Sequence, residues 1–133
     1  MRRHGHPYPF RPKPWAHIAA FFEETADRHP RYQHMVDIVE SVRASTAVGL
    51  LAGCTAMDDL MVVPTPVPEP PFGMVLVRAP NSVWSPGPGD VVIEHTSVTG
   101  HRDRIERPVA DAVPLFWRFM IEKYGIVPVA LPG

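Results

Sequence analysis

The sequence predicts an α+β fold, in which two N-terminal helices precede a roughly four-stranded antiparallel meander and a C-terminal helix packs on one face of that sheet. Three observations carry this. Apolar residues recur at helical spacing over the first third of the chain and again near its end. Between them lie short Val- and Ile-rich runs separated by Pro and Gly. The 133 residues suit one domain, and 45% hydrophobic with 20% charged residues is the balance of a packed core.

Trp15, Ile18, Ala19, Phe22 and Ala26 fall on one helical face, with Pro14 suited to the first turn, so the first helix is placed at 14–28. Pro30 disfavours helix at His29 and opens the second, whose apolar positions are Tyr32, Met35, Val36, Val39 and Val42. The stretch TAVGLLAGCTAMDDLMVVP is ambiguous between helix and strand, and is read as a short helical turn at 46–52 followed by a strand at 60–63.

Residues 62–73 read VVPTPVPEPPFG. Proline at alternate positions blocks regular pairing, and the only Pro-Xaa-Xaa-Pro spacing, Pro68 to Pro71, lacks an adjacent basic residue. A rigid connection at 64–71 inside a single domain spanning 14–133 is therefore expected, neither a linker nor a docking peptide.

Strands are expected at 74–78, 91–97 and 101–107. The last two form a hairpin whose register follows from its loop: with Val98, Thr99 and Gly100 in a three-residue turn, His95 pairs with Asp103, Glu94 with Arg104 and Ile93 with Ile105. A slip of one residue would send the two isoleucines to opposite faces. In this register Val91, Ile93 and Ile105 face the helices, and Glu94 and Arg104 face water. The final helix has Asp111 as N-cap, Pro114 in its first turn and Gly125 as its stop. It is apolar nearly all round, so it is expected to bury more than one side.

The hairpin also supplies the one candidate for catalysis. His95, Asp103 and Ser97 share a face, and an imidazole oriented by a carboxylate near a hydroxyl is how a nucleophile is activated. Residues two apart on a strand are too far separated for a direct hydrogen bond, and no Gly-Xaa-Ser-Xaa-Gly elbow is present, so a plain cross-strand pair is the favoured reading. The seven histidines show no metal-binding spacing, and the glycines of NSVWSPGPGD lack a phosphate loop's ending; no metal and no cofactor are expected.

Residues 1–13 form a basic, aromatic, Pro-rich arm in which Arg2, Arg3, Arg11 and Lys13 could meet nucleic acid or an acidic partner. A net charge of -1 disfavours a broad nucleic-acid surface. Trp84 either folds back onto the core or anchors a partner, and Phe116, Trp117 and Met120 are candidates for a partner face on the final helix. A lone Cys54 and the absence of a long apolar run point to a cytoplasmic chain outside the membrane. The expected function is a non-enzymatic interaction module that self-associates or binds another protein. The alternatives are a small hydrolase or transferase built on the His-Asp pair, and a nucleic-acid-associated protein.

Overall fold

The computed structural model describes residues 10–82 and 86–131. Helices α1 (Trp15–Arg28) and α2 (Gln33–Arg43) meet at a corner made by the 3₁₀ turn Pro30–Tyr32, because Pro30 can start a helix but cannot continue one. Five antiparallel strands follow in sequential order: β1 (Leu51–Ala56), β2 (Asp59–Pro64), β3 (Met74–Arg78), β4 (Asp90–Thr96) and β5 (Arg102–Pro108). Helix α3 (Ala112–Tyr124) closes the fold and stops at Gly125, whose φ of 67° is the left-handed value that spares glycine a Cβ clash. The α+β class and element order are as the sequence predicts, and the sheet has one strand more.

The extra strand is β1. Only residues 46–49 of the expected helical turn are helical, and the apolar run from Leu51 pairs with β2 through a two-residue turn at Met57 and Asp58. Both turn residues have positive φ, 52° and 73°, where Asn-Gly is the usual choice, so the hairpin carries no turn signal of the common kind. Gly53 in the middle of β1 is explained by packing: a Cβ there would lie 2.7 Å from the Trp15 ring.

The inner face of the sheet holds the main core. Helix α1 lies over β1, α3 lies over β4 and β5, and α2 packs against both other helices. Phe22, Met35, Ile38, Val62, Val77, Ile93, Phe116 and Met120 are fully buried there. Trp117 buries its ring and donates its Nε1–H to Ser41 Oγ at 3.0 Å. The outer face carries a second apolar cluster in which Phe10 and Phe72 pack over Cys54, Met61, Val63 and Met74. Phe72 comes from the Pro-rich connection, which joins the neighbouring strands β2 and β3 and is pinned by Thr65 N–H donating to Leu50 O at 2.9 Å.

His34 on α2 is buried, with Nε2 lacking a hydrogen-bond partner among the described residues, and burial holds its imidazole below the usual value of 6.5; burial lowers His95 as well. A lowered folded-state value means that the unfolded chain binds the proton first as pH falls. Stability from these groups is therefore complete above about pH 6.5 and is lost as pH drops through it. Urea midpoints are expected to fall between about pH 7.5 and about pH 5, less steeply in a His34→Asn variant. Equal midpoints at the two pH values would contradict this.

Candidate functional site

The hairpin register is the one argued from its loop: Ile93 pairs with Ile105, Glu94 with Arg104 and His95 with Asp103. His95 and Asp103 thus share a face, yet no hydrogen bond joins them. Lys123 of α3 takes the Asp103 carboxylate, which its ammonium holds below the usual carboxylate range, and His101 Nε2 lies 3.9 Å away. His95 packs edge-on against the Tyr124 ring at 6.3 Å. Ser97 serves the turn, its Oγ meeting Thr99 Oγ1 at 2.8 Å and accepting from His101 N–H at 3.1 Å. The three residues are neighbours without being a charge-relay set.

The other residues that the sequence singles out divide by burial. Phe116, Trp117 and Met120 are core residues of the inner face, 0%, 7% and 0% exposed, and the expectation of a partner face there is corrected: the apolar sides of α3 are spent on the sheet and on α2. Arg11 and Lys13 are exposed, and Lys13 lies along β1, donating its backbone N–H to Gly53 O at 2.9 Å and its Nζ to Thr55 Oγ1 at 3.2 Å. Trp84, Arg2 and Arg3 lie outside the described residues.

The concentrated chemistry is on the outer face, and no sequence motif marks it. Asp59, Arg78, Glu94 and Arg104, from four successive strands, form a diagonal row of alternating charge. Arg78 Nη1 donates to Asp59 Oδ2 at 2.9 Å and its Nε to Glu94 Oε1 at 3.1 Å, while Arg104 Nε lies 3.5 Å from Glu94 Oε2. Asp59 is further held by the Ala79 N–H at 2.7 Å. The expectation that Glu94 faces water is corrected: it is 0% exposed. The strand alternation holds, but the outer face is itself largely buried, so a carboxylate placed there needs cations beside it. Arg78 ends the apolar strand MVLVR and Glu94 follows Val91, Val92 and Ile93 in β4, and their opposite charges on one face are the available signal.

Beside this row, a cavity of about 490 Å³ opens under the β1–β2 turn, lined by Met57, Asp58, Asp59, Leu76, Arg78 and Asn81 among others. At the far side of the sheet β5 is the terminal strand, so among the described residues it has a neighbour on one side only. No described helix is long and apolar enough to cross a membrane, and no group of three or more metal-binding side chains occurs among the described residues. No family description matches the sequence, and no curated protein or solved structure is measurably similar to it.

Proposed function

We propose that this chain is a small non-enzymatic, cytoplasmic interaction module that self-associates by pairing β5 with β5 of a second copy. The observation that carries the reading is the charge order of Asp103-Arg104-Ile105-Glu106-Arg107. In an antiparallel pairing about a two-fold axis at Ile105, Asp103 meets Arg107 of the second copy, Arg104 meets Glu106, and the half-buried isoleucines face one another. Moving the axis to Arg104 or Glu106 would set like charges face to face.

Backbone parity supports the same axis. Ser97 N–H donates to His101 O and Val109 N–H to Gly89 O, so odd-numbered residues of β5 direct their backbone groups to β4. Arg104 and Glu106 then direct theirs to the outer edge, and the axis at Ile105 makes them a hydrogen-bonded pair. Pro108, without an N–H, ends the ladder. Arg104 is already engaged by Glu94, and in the assembly Glu106 of the second copy would share it. Exposed ion pairs add only about 0.2–1 kcal/mol each, so they select the register while the ladder and the isoleucines supply affinity. A weak, salt-sensitive dimer follows.

Glu106→Pro tests this directly, because it removes an N–H that the β4 ladder does not use. Light scattering at about 100 µM is expected to show dimer for the parent chain and monomer for the variant, with circular dichroism unchanged. A monomeric parent, or a variant that dimerises equally well, would overturn the reading.

A further inference from the structure

We propose that the cavity under the β1–β2 turn binds a small zwitterion, an α-amino acid with an apolar side chain. Its volume of about 490 Å³ lies within the range of small-molecule sites. Its charged wall has two signs. An arginine offers five N–H donors. Three of Arg78's go to Asp59 and Glu94, leaving two for a carboxylate at the cavity wall. Asp58 accepts from Asn81 Nδ2 at 3.0 Å through Oδ2, and its other oxygen has no hydrogen-bond donor among the described residues, leaving it to meet an ammonium group.

Charge balance narrows the class. A ligand that is only an anion would meet Asp58 and Asp59, and one that is only a cation would meet Arg78; a molecule carrying both charges a few ångströms apart finds the opposite sign at each end. Between the charged groups, Leu76 and Ala56 provide an apolar wall and Met57, 90% exposed, stands at the rim. Methionine is the side chain that adapts to ligands of varied shape. Its position is imposed by the positive φ of 52°, a conformation that a non-glycine residue adopts only at a cost in energy.

The test is an NMR titration of the ¹⁵N-labelled full chain with three probes of one carbon skeleton: L-leucine, 3-methylbutylamine, which lacks the carboxylate, and 4-methylpentanoate, which lacks the amine. Leucine is expected to shift the amides of Met57, Asp58 and Arg78 saturably below about 10 mM, with each one-ended probe at least about tenfold weaker. Asp58→Ala, a substitution in the half-buried β1–β2 turn outside the hydrophobic core, is expected to weaken leucine by about tenfold, and Leu76→Trp to occlude the site. Absence of saturable shifts with leucine, equal binding by a one-ended probe, or an Asp58→Ala variant that binds leucine as the parent does would each overturn the proposal.

Discussion

Arg78→Ala is expected to destabilise the fold by about 3–5 kcal/mol, a large part of the about 5–15 kcal/mol that holds a domain of this size together. The substitution does more than remove two ion pairs. It leaves the carboxylates of Asp59 and Glu94, 6% and 0% exposed, without the guanidinium that lies between them. Asp59 keeps the Ala79 N–H, whereas Glu94 keeps only Arg104, at 3.5 Å, among the described residues. The cost should therefore fall mainly on Glu94, and the double variant Arg78→Met/Glu94→Met is expected to recover most of it, because an apolar pair of similar volume has no charge to desolvate. Urea unfolding of the three chains measures both quantities. A single variant within about 1 kcal/mol of the parent would show that water reaches the row freely.

Phe116→Ala is expected to cost about 3–5 kcal/mol through the cavity it leaves between α3 and the sheet, where Phe116 is 0% exposed and its ring meets that of Trp117 edge-on at 5.2 Å. The same variant separates two views of this helix. If α3 were a partner face, the substitution would reduce association and leave unfolding unaltered. With Phe116 in the core, the urea midpoint drops while the dimer constant, measured where the variant is still folded, is unchanged. Exposed α3 residues behave differently: the Arg118–Glu122 pair at 3.0 Å lies on the wet side, and breaking it is expected to matter little.

What could be read from the chain is local. The period of Trp15, Ile18 and Phe22 places α1, Pro30 sets the corner, Gly125 stops α3, and the three-residue turn ending in Gly100 dictates the hairpin register down to the partners of His95 and Glu94. Each follows from the conformational preferences of a few neighbouring residues, which act whatever the rest of the molecule does. Strand β1 is not legible in this way because its identity is a packing decision: Gly53 lowers strand propensity but lets Trp15 approach, and the Met57-Asp58 turn adopts a backbone that these residues do not advertise.

The candidate sites are less legible for the same reason. That Glu94 and Arg104 oppose one another is deducible from the loop, but that Glu94 is buried depends on the outer cover of the sheet, which no strand-level pattern contains. Asp59 and Arg78 lie nineteen positions apart and meet only when β2 and β3 pair. Phe116, Trp117 and Met120 are recognisable as apolar and in need of cover, and tertiary structure alone decided that the cover is the chain's own sheet and α2. Outside β1 and its turn, sequence by itself determined where elements begin, turn and stop, because those are short-range conformational energies. Tertiary structure decided which faces are dry and which charges meet, because burial and pairing are properties of surfaces that exist only once distant strands have come together.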